Sequence, residues 1–339
     1  MPSSVMPTPR RGDGPRPPAA VSAVGLRKSY GDKTVLDGID LRIPAGSVFA
    51  LLGPNGAGKT TTVQILSTLV AADGGHAQVA GHDIAASPDG VRAAIGVTGQ
   101  FSALDDLLTA EENLILMADL LRLGKREGRF RAQELLQRFD IADVAGKRAA
   151  TFSGGMRRRL DLAMMLVGDP QVIFLDEPTT GLDPRSRRTM WDTVRSLVAG
   201  GTTVFLTTQY LEEADQLADR IAVLDKGRIV AEGTAEQLKA QIPGGHVRLR
   251  FTETADYERA VAVFPGAATD EEDLTLRVAG DAGLDALRAL LDRLDTAGIS
   301  AADLSVHTPD LDDVFLTLTG DGATGTGAHD TPRTKENQR

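Results

Sequence analysis

Residues 48–66 read "VFALLGPNGAGKTTTVQIL": five apolar residues, a turn carrying glycine at 53, 56 and 58, then a run with helical spacing. A short run that is apolar throughout is expected of a strand covered on both faces. A strand that turns through three glycines straight into a helix is a building unit of parallel α/β sheets. The same texture returns in "QVIFLDE", "TTVFLTT" and "RIAVLD", separated by helical patterns such as "SRRTMWDTVRSLVAGG", which Gly200 closes as a C-terminal cap. Upstream, "VSAVGLRKSY" and "TVLDGIDLRI" alternate like half-buried strands about a Gly31-Asp32 turn. The expected fold is α/β, a mainly parallel sheet with an antiparallel flank. From about residue 100 to 160 helical periodicity runs without strands ("LTAEENLILMADLLRL", "RAQELLQRFDI"), which predicts a helical subdomain.

The chain of 339 residues, 42% of them hydrophobic, is long enough for two domains. The first is expected over residues 21–240. After Pro243 the texture changes to "HVRLRF", "DLTLRVAG" and "ISAADLSVH" as strands with "YERAVAVF" and "LDALRALLDRLDTAG" as helices, which predicts a small α/β domain over 245–319. The proline- and arginine-rich residues 1–20 and the glycine-rich residues 320–339 read as disordered tails. A net charge of −10 and a pI near 5.1 offer no basic field for a phosphate backbone, so no nucleic-acid partner is expected. There is no cysteine, hence no disulfide framework, and five scattered histidines show no metal-ligand spacing. No run of about eighteen apolar residues exists, so no segment is expected to span a bilayer and membrane work would fall to a partner.

The chemistry begins at the glycine turn. Its backbone N–H groups converge on phosphate oxygens, backed by the positive end of the following helix. The turn fills the P-loop pattern, and the nucleotide-contacting set is expected to be Gly53, Pro54, Asn55, Gly56, Ala57, Gly58, Lys59, Thr60 and Thr61. Lys59 would reach the β- and γ-phosphates and the Thr60 hydroxyl would ligate Mg²⁺. In "VIFLDEP" two carboxylates end an apolar run. Such a pair is ordinarily a solvated turn; downstream of a P-loop, Asp176 reads as holding the Mg²⁺ through water. Glu177 reads as orienting and deprotonating the attacking water.

Together these motifs resemble the ABC-type ATPases. "TFSGGMRRRLDLA", from Thr151, is similar to their signature sequence and lies just before the acidic strand. Gln100, after "IGVTG", resembles the glutamine that joins the metal site to the helical subdomain. Tyr30 resembles the aromatic that stacks on adenine, and Asp183 in "GLDP" lies in what resembles the loop crossing the dimer interface. The resemblance covers about residues 21–240. The FSGG spelling, Gln209 where the commonest pattern has histidine, and the closing "LDDVFLTLTG" resemble the drug-export ATPases of the daunorubicin-resistance type. The resemblance implies ATP and Mg²⁺ as cofactors and hydrolysis that energises export of a drug or antibiotic through a separate integral-membrane permease. The implied location is peripheral, on the cytoplasmic face of the cell membrane. Ser153, Gly154 and Gly155 are donors at a helix start, and in the family they close over the other protomer's γ-phosphate. One copy of each motif per chain then implies a head-to-tail homodimer.

Several readings stay open in the sequence. Gln209 ends a buried strand, where polar side chains point into the ligand crevice of α/β proteins. A glutamine offers donors but never titrates, so it positions without shuttling protons. It either contacts the γ-phosphate or only caps the helix "YLEEADQLAD". The closing helix, with Thr308 as N-cap and Pro309 at its first turn, sets Leu311, Val314, Phe315 and Leu318 on one face. That face packs on its own domain or docks another subunit. Arg10, Arg11 and Arg16 touch anionic lipid or keep a loose tail soluble. Soluble ABC proteins acting on DNA or ribosomes carry paired cassettes, coiled coils or basic surfaces, none of which is present here. Lys59, Asp176 and Glu177 argue against a scaffold that does not turn over.

Overall fold

A computed structural model of the chain describes residues 18–99, 104–241, 245–279, 284–307 and 310–319. Gln100, the cap at Thr308 and Pro309, and the tail after residue 319 lie outside the described residues, as do residues 1–17. The chain divides into two compact units, the first running to Thr234 and the second from Ala235.

In the first unit β1 (Ala19–Tyr30) and β2 (Lys33–Pro44) form the hairpin that the Gly31-Asp32 turn predicts. β1 begins at Ala19, inside the stretch read as a disordered tail. β3 (Val48–Leu52) is buried at all five positions and hands over to α1 (Lys59–Leu66). Next come β4 (Gly74–Val79), β5 (His82–Asp83), α2 (Pro88–Ala94) and β6 (Ile95–Thr98). The helical subdomain follows as α3 (Ala110–Leu120), α4 (Lys125–Arg138) and α5 (Gly154–Met165), which pack on one another. α3 starts on a capping box in which the Thr109 side chain and the Glu112 carboxylate each accept a backbone N–H of the other residue. β7 (Val172–Asp176), α6 (Pro184–Ala199), β8 (Thr203–Thr208), α7 (Leu211–Leu217), β9 (Arg220–Asp225) and β10 (Arg228–Gly233) complete the unit. Gly200 is the C-cap of α6, as its place after the periodic run predicts.

The strands form two sheets. The larger has the order β10-β9-β3-β8-β7-β6 and is parallel except for the β10 edge; the smaller, β2-β1-β4-β5, is antiparallel. The antiparallel flank is thus a sheet of its own. One core joins the two: Val21, Leu26, Leu36 and Ile43 from the small sheet, Val63, Ile65 and Leu66 from α1, and Phe49, Phe174 and Phe205 from the large one. The rings of Phe49 and Phe205 stack at 5.6 Å across β3 and β8. Alternate residues of the parallel strands pack this face, while α5, α6 and α7 lie against β6, β8 and β3. Burial on both faces is why these strands read as unbroken apolar runs.

The second unit holds α8 (Ala235–Lys239), β11 (His246–Arg250), α9 (Thr254–Val263), β12 (Ala268–Asp270), β13 (Thr275–Ala279), α10 (Leu284–Thr296), β14 (Asp303–His307) and α11 (Leu311–Thr319). Its antiparallel sheet, in the order β12-β13-β11-β14, packs Val247, Leu249 and Leu276 against Tyr257 and Ala260 of α9 and Leu290 and Leu294 of α10. α11 contacts α8, with Leu311 and Val314 buried and Phe315 and Leu318 half-buried. The apolar face of α11 is therefore engaged within its own unit. Among the described residues no helix is long and apolar enough to cross a membrane.

Candidate nucleotide site

The order of the parallel sheet gathers the site. β3, β8 and β7 are neighbours, and their register sets Leu52 beside Thr208 and Thr207 beside Asp176. The glycine turn leaves the end of β3, Gln209 follows the end of β8, and Glu177 follows the end of β7. Three segments far apart in sequence thus emerge side by side at the carboxyl edge of one sheet, where α/β proteins bind ligands.

The turn is shaped for close backbone approach. A Cβ on Gly53 would lie 2.4 Å from the Leu224 carbonyl oxygen, and one on Gly58 2.6 Å from Leu36 Cδ2. Gly58 also has φ +114°. No other residue fits either place without displacing its neighbours. Gly58 is the N-cap of α1 and makes no side-chain cap bond, and the first turn holds no acidic residue. The N–H groups opening α1 are therefore free of local carboxylates and suited to an anion. Around them Pro54 and Thr61 are half-buried, Ala57 is buried, and Asn55, Gly56 and Thr60 are exposed.

Lys59 bends back under the turn. Its Nζ donates to the Gly53 carbonyl at 2.9 Å and the Pro54 carbonyl at 3.2 Å, and lies 3.3 Å from Glu177 Oε1. Asp176 is buried, its Oδ1 accepting a hydrogen bond from Thr207 Oγ1. The same hydroxyl accepts from the Glu177 backbone N at 3.2 Å, so one buried threonine fixes both acidic residues. Glu177 has φ +49° and precedes Pro178. A glutamate held left-handed before a proline is costly, and such strain gathers at functional sites. Thr180 Oγ1 donates to Glu177 Oε2 at 3.3 Å, which aims the carboxylate.

The remaining expected residues are distributed around this centre. Tyr30 is half exposed, and Lys28 Nζ lies over its ring, 5.3 Å from the centroid. Ser153 is the N-cap of α5, its hydroxyl accepting from Met156 N, and a Cβ on Gly154 would meet nothing. Asp183 caps α6 by accepting from Arg185 N, Ser186 N and the Ser186 hydroxyl, contacts that hold its carboxyl below the ordinary range. Gln209 is half-buried. It does not cap α7: the cap position is Tyr210, which makes no side-chain cap bond.

The site fits the groups that the turn implies. Among the described residues no cluster of three or more His, Asp or Glu could hold a metal unaided. One buried carboxylate, Asp176, and one exposed hydroxyl, Thr60, suit an ion such as Mg²⁺ that completes its shell with phosphate oxygens and water.

Comparison with known proteins gives the family. Residues 36–180 match the ABC transporter family. The daunorubicin resistance ATP-binding protein DrrA3 of Streptomyces coeruleorubidus is 52% identical over 89% of this chain and 96% of its own length. DrrA of Streptomyces peucetius, a daunorubicin/doxorubicin resistance ATP-binding protein, is 47% identical over 90% and 94%. The chain belongs to the ABC transporter ATP-binding proteins. Among solved structures, cbiO1 from Clostridium perfringens, part of the ABC transporter complex cbiONQ, superposes with a TM-score of 0.61 at 27% identity. It covers 66% of this chain and 91% of that one. As a member of this family the chain is a transport-coupled ATPase that binds ATP, and an ABC ATP-binding subunit implies a membrane permease as partner.

Sequence reasoning did not single out Thr207, Thr180 or Lys28, although each touches an expected site residue. A signal was present for Thr207: a hydroxyl in an otherwise apolar strand is itself a question. Another went unread on α7, where Glu213 shares a helical face with the buried Leu217.

Proposed function

We propose that the chain is the ATP-hydrolysing subunit of an exporter for a drug or antibiotic, acting as a head-to-tail homodimer on the cytoplasmic face of a membrane. The observation that carries the chemistry is the row of strand ends that brings Lys59, Gln209, Asp176 and Glu177 to one edge of the sheet. Lys59 and the opening N–H groups of α1 orient the phosphates. Thr60 and Asp176, with Gln100 as the family resemblance implies, would hold Mg²⁺, which supplies neutralisation of charge on the β- and γ-phosphates. Glu177, aimed by Thr180, takes the proton of the attacking water. Gln209 donates to oxygens of the transferred group, and its location between the two halves of the site supports that role over a capping one.

Ser153 and Gly154 stand at the start of a helix with no acid in its first turn, a donor set for a γ-phosphate. Serving the partner's nucleotide rather than their own is what makes the dimer necessary. The cargo reading is supported by the relatives named for daunorubicin and doxorubicin resistance. The test is co-purification of the full-length chain from its host, followed by drug susceptibility in a host lacking the ATPase and permease. Recovery with an integral-membrane protein, and sensitisation on their loss, are expected. Recovery with nucleic acid or ribosomes instead would overturn the transport reading.

A further inference from the structure

The helices that follow Gln209 and Asp183 meet at one buried carboxyl. Glu213, in α7, is fully buried. The Trp191 indole of α6 donates to its Oε1 at 3.4 Å. Thr208 and Thr179 are both buried. Thr208 ends β8 and immediately precedes Gln209; its Oγ1 accepts from Tyr210 N at 2.9 Å, closing the backbone around Gln209. Thr179 is buried two residues beyond Glu177 and opens the turn toward Asp183, with Leu182 N donating to its carbonyl. Arg187 of α6 stacks its guanidinium 5.2 Å from the Tyr210 ring centroid and reaches Glu212 Oε2 at 3.4 Å.

A carboxyl in this place is expensive, and no step of the hydrolysis described above uses it. Glu213 Oε2 and Thr179 Oγ1 are both buried without a hydrogen bond of good geometry. Burying such groups costs stability that a leucine or methionine would not. A feature retained at that cost between two functional segments calls for a functional account.

We infer that Glu213 is a positioning residue, one that ties α7, into which Gln209 leads, to α6, which Asp183 caps, through the hydrogen bond it accepts from Trp191. The inference rests on the reading that the chain hydrolyses ATP with Gln209 at the transferred phosphate. Burial raises the pKa of Glu213, which favours the neutral acid. A neutral acid both donates and accepts hydrogen bonds, and so does a glutamine side chain. Glu213→Gln is therefore the conservative variant and Glu213→Ala the disruptive one.

The experiment measures kcat and KM for MgATP with the full-length chain carrying Glu213→Ala, Glu213→Gln, Gln209→Ala and the Glu213→Ala/Gln209→Ala pair. Thermal midpoints are recorded alongside. A misaligned donor costs about a hundredfold, so Glu213→Ala is expected to lower kcat by about ten- to a hundredfold while KM stays within about threefold. Glu213→Gln should recover most of the rate. Because Glu213 acts through Gln209, the double variant should be no slower than Gln209→Ala alone. Independent, multiplying losses, or a KM that rises as kcat falls, would reduce Glu213 to a structural group. If Glu213→Ala does not fold, Trp191→Phe takes its place, and wild-type kcat in that variant would overturn the inference. A wild-type chain without ATPase activity would refute the hydrolysis reading itself, whereas activity that depends on Gln209 but not on Glu213 refutes only this inference.

Discussion

In the folded chain the Glu177 carboxylate faces Lys59 Nζ across 3.3 Å on one oxygen and accepts from Thr180 Oγ1 at 3.3 Å on the other, while its backbone N is held by Thr207. Glu177→Gln preserves size, the Thr180 contact and the backbone anchor. It removes the proton acceptor and the negative charge beside Lys59. Loss of a positioned base slows turnover by about a hundred- to ten-thousandfold. At about 1.4 kcal/mol per tenfold, that is about 2.7–5.5 kcal/mol of transition-state stabilisation. ATP binding should be as tight as in wild type or tighter, because Lys59 no longer has a carboxylate competing with phosphate for its ammonium. The assay is phosphate release together with sizing chromatography in MgATP. The proposed dimer should accumulate in the variant and appear only transiently in wild type. A kcat within about threefold of wild type would show that the water loses its proton elsewhere, since loss of a general base costs more than that.

Thr207→Val removes the hydroxyl that joins Asp176 and Glu177 while keeping the β-branched shape; hydrolysis should fall by about ten- to a hundredfold, from about 1.5–3 kcal/mol per hydrogen bond to a charged group, with the fold retained by circular dichroism. Gln209→Ala should cost about 3 kcal/mol of transition-state stabilisation with little change in ATP affinity. Gln209→His should keep much of the activity and add a titration near about pH 6.5 to the pH–rate profile. A chain ending at Thr234, where the first compact unit stops, should bind ATP but fail to co-purify with the permease. For Glu213, a folded-state pKa raised by burial means that the unfolded chain ionises first as pH rises. Its contribution is fully present below the ordinary glutamate range and is lost as pH climbs through the raised value. Glu213→Gln should therefore gain thermal stability relative to wild type between acid and neutral pH, and an unchanged difference would mean that the buried acid is already ionised.

What the sequence displays is what is contiguous. The phosphate turn is a local object, since strand, glycines, lysine and helix start follow one another within residues 48–66, and each has a spelling. Strands buried on both faces announce themselves as apolar runs, which is why β3, β7, β8 and β9 are legible. Three-residue β12 carries too little pattern to see. The separation of the antiparallel strands into their own sheet depends on pairing, which apolar alternation does not encode. Within the site the acidic pair was legible and its support was not: Thr207 lies 31 residues from Asp176, and no spacing rule links them. Gln209 is the intermediate case. Its place at a strand end was readable, and the capping alternative disappears only when Tyr210 is seen in the cap position.

The buried contacts of α6 connect two parts of the site that the motifs treat as separate. Asp183, on the segment expected to face the neighbouring protomer, is fastened to the start of α6 through the backbone and hydroxyl of Ser186. Arg187 and Trp191, one and two turns further along, are the residues that meet Tyr210 and Glu213 beside Gln209. Eight residues of helix span about 12 Å and resist bending, so Asp183 and the Gln209 segment are mounted on one stiff bar. Trp191, two turns beyond Asp183 on α6, therefore belongs with the residues whose substitution should separate ATP binding from ATP turnover.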